Sequence, residues 1–263
     1  MGELQRGKKG ELILPGFGDI NTEIRKRLIL SITGEWKTGK TEFSLTAPAP
    51  IAYIDMDTGT EGVIEKWAKK KVIKRISFDY HDSTDEREWR EMWEKCSKAF
   101  IASLQHPQIR TLVWDTATEG YDLVKMARFG KLNKVNLHEG KALPYPYGPV
   151  NTEFRDLLRR ALKTNKNVIL IHKTKDEYVD DKRTGKKLMA GYGDIGGIVQ
   201  VSIETWKKVE TEKGEVRSRT FGITVKDCRQ NREVDGMTLE EPLSTFPMLA
   251  MQVFPESSEE EWE

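Results

Sequence analysis

The chain has 263 residues, which is enough for one α/β domain with short additions and a sizeable buried core. Charged residues make up 32% of the sequence but the formal net charge is only +1, which excludes nucleic-acid binding through bulk charge and leaves only local patches. The two cysteines lack metal-binding spacing, no apolar run is long enough to span a bilayer, and the start lacks a signal-peptide core. We therefore expect a cytoplasmic protein that does not contact membranes.

Polar residues 1–26 predict an N-terminal arm, and apolar runs alternate with helical patterns in a core at 27–253. Strands are predicted at 27–33, 51–57, 72–79, 111–116 and 167–173, and helices at 40–45, 60–70, 84–104, 121–129 and 150–162. Two β-rich stretches follow, at 198–210 and 218–227, and residues 254–263 form an acidic C-terminal tail. This order predicts an α/β fold with a mostly parallel twisted sheet flanked by helices, extended at one edge by a late antiparallel hairpin.

A glycine-rich segment follows the first predicted strand and matches G-x-x-x-x-G-K-[ST] in full. It consists of Gly34, Glu35, Trp36, Lys37, Thr38, Gly39, Lys40 and Thr41. Glycines let the backbone curl so that its N–H groups face phosphate oxygens, and the next helix directs its positive end to the same oxygens. Lys40 is expected to reach the β- and γ-phosphates, and Thr41 to bind Mg²⁺. The segment predicts a site for ATP with Mg²⁺; a chance match is the alternative, which the strand before it and the helix after it argue against.

Polar side chains end three other predicted strands. Asp115 ends a buried strand and is expected to order Mg²⁺, unless it only caps the next helix. Asp55 and Asp57 end the strand after the phosphate-loop helix, and period-two alternation puts both on one side of it. Either can orient the attacking water, and either can instead cap the following helix. His172 and Lys173 end the fifth strand, and a polar group at this position, either of the two, can sense the γ-phosphate; the alternative for His172 is a satisfied histidine at a strand end.

In this order the motifs resemble those of RecA-like recombination ATPases, most closely the small phage-type nucleotide-binding proteins related to single-strand annealing and recombination. The resemblance covers roughly 27–230 and is strongest at the phosphate loop. In that superfamily the strand after the phosphate-loop helix ends in hydrophobic-Asp-x-Glu, whose Glu activates water. Here Asp57 stands in the catalytic place, beside Lys40 and His172. Asp is one methylene shorter than Glu, so ATP binding is expected while the rate of hydrolysis stays open.

The resemblance also implies contacts with single-stranded DNA and with neighbouring subunits. Two loops of such proteins touch DNA, and they correspond here to 129–149 and 174–196. Basic residues interleaved with aromatic ones suit this role, because cations follow phosphates and rings stack on bases; the alternative is a solvated hairpin with charged tips. The basic residues concerned are Lys131, Lys134, Lys175, Lys182, Arg183, Lys186 and Lys187.

A second basic pair lies near the end of the late hairpin. Lys226 and Arg229 are similar to the pair that, in the family, reaches the γ-phosphate of a neighbouring subunit. They predict a homo-oligomer, either a filament or a ring; the alternative is two surface cations on an edge strand.

The function expected from these features is an ATP-binding, DNA-dependent ATPase in recombination or single-strand annealing, of phage origin. A ring-forming helicase or motor subunit and a slowly hydrolysing, nucleotide-gated DNA-binding protein are the alternatives. A small-molecule kinase fits less well, because the late residues form a basic hairpin and not an Arg-rich lid. The acidic tail is expected to dock a single-strand-binding or replication protein, or to be a solubilising end.

Overall fold

The computed structural model describes residues 26–79, 83, 85–130, 147–212 and 214–263. Nearly all of the N-terminal arm lies outside these described residues. The same holds for Lys131 and Lys134, so their expected contacts with DNA stay predictions.

Strands and helices alternate along the first two thirds of the chain. The strands are β1 (Ile29–Gly34), β2 (Ile51–Asp55), β3 (Ile73–Ser77), β4 (Thr111–Asp115), β5 (Asn167–Ile171), β6 (Thr174–Val179), β7 (Lys182–Met189), β8 (Val201–Glu212), β9 (Glu215–Cys228) and β10 (Thr238–Glu240). The helices are α1 (Lys40–Leu45), α2 (Val63–Ala68), α3 (Glu86–Gln105), α4 (Ala117–Phe129), α5 (Tyr147–Arg159) and α6 (Phe246–Val253).

An eight-stranded sheet forms the centre of the fold, in the order β10-β9-β8-β1-β5-β4-β2-β3. The pairs from β8 to β3 are parallel, and β9 runs antiparallel to both of its neighbours, β8 and β10. The predicted α/β class, with a mostly parallel sheet and a late hairpin at one edge, is therefore confirmed.

Helices cover both faces of the sheet, because side chains of the buried strands point alternately to the two sides. In β4, Leu112 and Trp114 pack in one apolar cluster with residues of α3, α4 and α5. Val113 points the other way, into a second cluster with residues of α1, α2 and α6. Gly120 of α4 lies so close to Trp114 that a Cβ there would be 2.3 Å from the indole ring, so only glycine lets this helix approach the sheet.

The carboxyl ends of the parallel strands meet at one edge of the sheet. The register pairs Asp55 with Asp115, and Asp115 with Ile171. The phosphate loop leaves the end of β1 at the same edge. Residues predicted separately for phosphate, metal and water therefore lie around one place.

Two β-structures extend from this framework. Residues 174–189, part of the second loop expected to touch DNA, form the separate antiparallel hairpin β6–β7. The β8–β9 hairpin continues past Thr205, the partner of Gly34 in the sheet, to Glu212.

The last ten residues, expected as an acidic tail, fold back onto the core. Trp262 is buried and its ring lies 5.6 Å from that of Phe254 and 6.2 Å from that of Phe246. Lys26 forms an ion pair of 2.7 Å with Glu261. The apolar surface of a single tryptophan thus holds a segment whose other side chains are mostly acidic and exposed.

Candidate nucleotide-binding site

The phosphate loop has a backbone that only glycine permits at its first position. Gly34 has a φ of +147° and Gly39 a φ of +91°. A Cβ at Gly34 would lie 2.2 Å from the Oγ1 atom of Thr205. Thr38 shares a hydrogen bond of 2.7 Å with the hydroxyl of Thr205, so β8 braces the loop from the side. This curled backbone ahead of a helix fits a phosphate group.

Lys40, at the start of α1, bends back over the loop. Its ammonium donates to the carbonyl oxygens of Gly34 at 2.9 Å and Glu35 at 2.7 Å. Burial lowers the pKa of Lys40, and the charges of Asp115, Glu35 and Asp57 oppose that shift. The ammonium thus lies among the acidic groups of the site, where a polyphosphate would be held.

Thr41 and Asp115 are in direct contact, as the sequence predicts for a pair that orders Mg²⁺. The hydroxyl of Thr41 donates to Oδ2 of Asp115 at 2.9 Å, and the hydroxyl of Tyr53 donates to the same oxygen at 2.6 Å. Asp115 is only 4% exposed. Burial raises the pKa of its carboxyl to about 6, and the two hydroxyls oppose the shift.

A hydroxyl and a carboxylate of this kind fit Mg²⁺, which usually binds one or two protein ligands and completes its shell with phosphates and water. Among the described residues, no group of three or more His, Cys, Asp or Glu side chains could hold a metal ion. A metal here would therefore depend on the phosphates of a nucleotide.

The two acidic residues at the end of β2 have different roles. The strand ends at Asp55, so alternation does not continue to Asp57. Asp55 is fully buried and is bound by Arg75 at 2.5 Å and by the hydroxyl of Thr60 at 2.7 Å. Asp57 is exposed, lines the cavity beside Lys40, and accepts a hydrogen bond of 3.0 Å from the N–H of Gly59. Asp55 is structural, and Asp57 is the carboxylate that faces the site.

The end of β5 presents Lys173 and not His172 to the site. His172 is fully buried, and burial lowers its pKa to about 4, so its ring is neutral. It does not line either cavity of the nucleotide site. Lys173 lines one of them, and its ammonium forms a hydrogen-bonded ion pair with the buried Glu119 of α4. Of the two residues that the sequence offers at this strand end, Lys173 faces the cavity and His172, expected among the catalytic residues, does not.

Two cavities flank the phosphate loop. The smaller, of about 480 Å³, has three lysines and three aspartates in its walls: Lys37, Lys40, Lys173, Asp57, Asp79 and Asp115. The larger, of about 1030 Å³, begins at the same loop. Beyond the loop it is lined mainly by α2, β9 and the segment before α6, with the rings of Trp67 and Phe221 in its wall.

The β6–β7 hairpin is connected to the nucleotide site in two ways, through Lys173 and through the phosphate loop. Its first strand directly follows Lys173, and the N–H of Ala190 donates to the carbonyl of Lys173 at 2.8 Å, which closes its base. On β7, Lys187 forms ion pairs with Asp176 at 2.8 Å and with Glu35 of the loop at 3.4 Å. Sequence reasoning missed the contact with Glu35, because the two residues are far apart in the chain.

The second basic pair lies away from the phosphate loop of its own chain. In β9, Val225 and Asp227 pair with neighbouring residues of β8, so Lys226 between them is the extra residue of a bulge. Its ammonium forms an ion pair of 2.7 Å with Glu204. Arg229 donates to the carbonyl of Gly197 at 3.0 Å. Neither side chain lines a cavity of the nucleotide site. Their action on a neighbouring subunit stays a prediction.

Comparison with known proteins gives a family. The AAA_24 family model, described as an AAA domain, matches residues 26–206. No curated protein matches the sequence significantly. Among solved structures, a KaiC-like protein from the hyperthermophilic archaeon Pyrococcus horikoshii OT3 is similar at 14% sequence identity with a TM-score of 0.45, over 81% of this chain and 84% of that one.

No helix among the described residues combines the length and apolar character needed to cross a membrane. The family match covers more than half of the chain and includes the phosphate loop, Asp57, Asp115 and Lys173. The chain therefore belongs to the AAA_24 family of AAA domains, and with its phosphate loop it is a nucleotide-binding ATPase of the P-loop type.

Proposed function

We propose that the protein hydrolyses ATP and that single-stranded DNA stimulates this hydrolysis, in recombination or strand annealing of the phage type. The observation that carries the proposal is the connection between the nucleotide site and the β6–β7 hairpin. The hairpin directly follows Lys173, in the wall of the smaller cavity, and contacts the phosphate loop through the ion pair of Lys187 with Glu35. A ligand on the hairpin therefore acts on residues that surround the nucleotide.

The nucleotide occupies both cavities. Its phosphates lie on the loop, with the terminal phosphate in the smaller cavity and the base in the larger one, against the rings of Trp67 and Phe221. Thr41 and Asp115 hold Mg²⁺, which when bound neutralises charge on the phosphates.

Hydrolysis requires a group that orients the attacking water. Two exposed carboxylates, Asp57 and Asp79, line the smaller cavity. We assign the role to Asp57, because it follows β2, the strand after the phosphate-loop helix, where the resemblance places the water-activating group. It accepts the proton of the water or orients it toward the terminal phosphate. Lys40 balances charge on the transferred phosphoryl group.

DNA binds along the outer surface of the hairpin. Lys175, Lys182 and Lys186 are exposed and, within the described residues, form no ion pair, whereas Asp176 binds both Arg183 and Lys187. Tyr178 is exposed beside them and offers a ring for stacking. Residues 174–189 contain five basic and four acidic side chains, so the attraction to DNA rests on these individual lysines and not on a strong overall charge.

The test replaces Lys175, Lys182 and Lys186 together by Ala. We expect weaker binding of single-stranded DNA, a slope of log K against log salt that is smaller by about 2, and loss of stimulation with unchanged basal ATP turnover. A matched triple variant of exposed lysines elsewhere, at Lys69, Lys74 and Lys98, controls for net charge. DNA binding and stimulation that survive in the hairpin variant but fall in the control variant would refute this assignment of the surface.

Action between subunits is a further part of the proposal, supported by the position of Lys226 and Arg229 outside their own nucleotide site. A double variant, Lys226→Ala with Arg229→Ala, is mixed with Lys40→Ala, which lacks the phosphate-binding ammonium. If the pair acts on a neighbouring subunit, the two inactive proteins should restore ATP turnover when mixed. No recovery in a co-assembled mixture would contradict action in trans.

A second candidate function is a nucleotide-gated DNA-binding protein that hydrolyses slowly. It is favoured by Asp57, whose side chain is short and is already bonded to the N–H of Gly59. Single-turnover hydrolysis separates the two: a chemical step much slower than the release of DNA supports the gated binder. A ring-forming helicase is separated from both by strand-unwinding assays together with images of the assembly.

A further inference from the structure

Glu119 is a buried carboxylate that the proposed reaction does not use. It lies in the first turn of α4 and is 5% exposed. One of its carboxylate oxygens accepts a hydrogen bond from the ammonium of Lys173. The side chain of Lys173 is 37% exposed, so the pair has one buried member and one member that faces the smaller cavity.

The start of α4 fixes Lys173 at two points. The hydroxyl of Thr118 accepts the backbone N–H of Lys173 at 3.0 Å, and Glu119, the next residue, binds its ammonium. The N–H of Glu119 is in turn bonded to the hydroxyl of Thr116, directly after Asp115. The first turn of α4 therefore fixes the ammonium of Lys173 at a set position relative to the carboxylate of Asp115.

An ammonium has three N–H donors, and Glu119 accepts from one of them. The others remain for oxygens inside the cavity, where Lys173 shares the walls with Lys40, Asp57 and Asp115. A lysine on a flexible stem normally loses much side-chain freedom when it binds. Here the carboxylate has already restricted that freedom, so contact with an anion costs less entropy.

We infer that Glu119 is a positioning residue that holds Lys173 against the terminal phosphate of ATP, and that the pair makes the site prefer a triphosphate to a diphosphate. The inference rests on the proposed placement of the terminal phosphate in the smaller cavity. Lys40 spans the β- and γ-phosphates and contributes to binding of both nucleotides, whereas Lys173 contacts only the group that ADP lacks.

The test measures the affinities of the full chain for ATP and ADP, with Mg²⁺, by calorimetry. We expect Lys173→Met to lower ATP affinity about 10-fold or more, the value of one charge-assisted hydrogen bond, while ADP affinity stays within about 2-fold. Glu119→Gln should shift the ATP-to-ADP preference in the same direction by a smaller factor. In steady state it should raise KM for ATP more than it lowers kcat, because ground-state binding is lost.

Two variants separate this role from simple support of the fold. Lys173→Arg keeps the cation and should retain most of the preference for ATP. Lys125→Met removes a different paired lysine, which lies on α4, has Asp122 as its partner and does not line the cavity. It should leave both affinities unchanged. Thermal unfolding of each variant identifies loss of folding, which would lower both affinities together.

An equal loss of ATP and ADP affinity in folded Lys173→Met, or an unchanged preference in that variant, would overturn the inference. So would a preference unchanged by Glu119→Gln. If the unaltered protein fails to bind ATP at all, the proposed placement of the nucleotide fails instead. The two failures are therefore distinguishable.

Discussion

Replacement of Asp115 by Asn should stabilise the metal-free protein while it removes Mg²⁺-dependent activity. The carboxyl of Asp115 is buried, and its pKa is raised from 3.8 to about 6, first by burial and also by the nearby charges of Asp57 and Asp55. Thr41 and Tyr53 both donate to one oxygen, Oδ2. An amide can direct its own oxygen to both hydroxyls, and it carries no charge that burial would penalise.

The size of the effect follows from the pKa. A difference of about 2 pKa units corresponds to roughly 3 kcal/mol. The folded protein binds this proton more tightly than the unfolded chain does, so the carboxyl of Asp115 lowers stability as the pH rises from 3.8 to about 6. Above about pH 6 the full loss of stability caused by the buried charge of Asp115 is present. We therefore expect Asp115→Asn to be more stable by about 2–3 kcal/mol at pH 8, and by less than about 1 kcal/mol at pH 4.

The assay is urea unfolding with EDTA, followed by tryptophan fluorescence at several pH values. His172 has the opposite pH dependence, because its pKa is lowered from 6.5 to about 4 and stability is lost as the pH falls through that range. It is present in both proteins and cancels in their difference. Asp156→Asn, at an exposed site, should change little at any pH. If Asp115→Asn is no more stable than the unaltered protein at pH 8, or is more stable by the same amount at every pH, the burial of a charged Asp115 does not lower stability.

Asp57→Asn should lower ATP turnover about 100-fold, as expected for loss of a general base, and leave ATP affinity nearly unchanged; a fall in affinity without a fall in kcat would assign Asp57 to binding. Trp67→Ala should weaken ATP and ADP equally, by about 10-fold for one lost base–ring stack, and unchanged affinities in a calorimetric titration would move the base out of the larger cavity. Gly120→Ala should destabilise the protein by about 1–3 kcal/mol through its clash with Trp114, whereas Gly148→Ala, where a Cβ would meet nothing within 4 Å, should be neutral or slightly stabilising in the same unfolding assay.

The elements predicted best are those with local signals. The helix at Lys40–Leu45 begins at the phosphate loop and ends before two prolines, and the structure has the same bounds. Asp115 ends a strand that is buried along its whole length, so its apolar run was easy to recognise. In both cases neighbours in the sequence determine the structure.

The details predicted poorly depend on distant residues. Asp55 and Asp57 look equivalent in the sequence, but Arg75 of the neighbouring strand binds only Asp55. The hairpin β6–β7 is mostly exposed and has no apolar alternation, so the sequence offered a hairpin there only as an alternative and could not give its strands. Trp262 appeared to belong to an acidic tail, but it is buried against Phe246 and Phe254, a contact that only the folded chain creates.

The central claim is that Gly34–Thr41 forms the site of an ATPase that DNA stimulates. The most direct measurement is steady-state ATP turnover of the unaltered protein and of Lys40→Ala, with Mg²⁺ or EDTA, and with or without single-stranded DNA. The account predicts turnover that requires Mg²⁺, rises with DNA and disappears in Lys40→Ala. Turnover that is equal in the two proteins, or that DNA leaves unchanged, would contradict it.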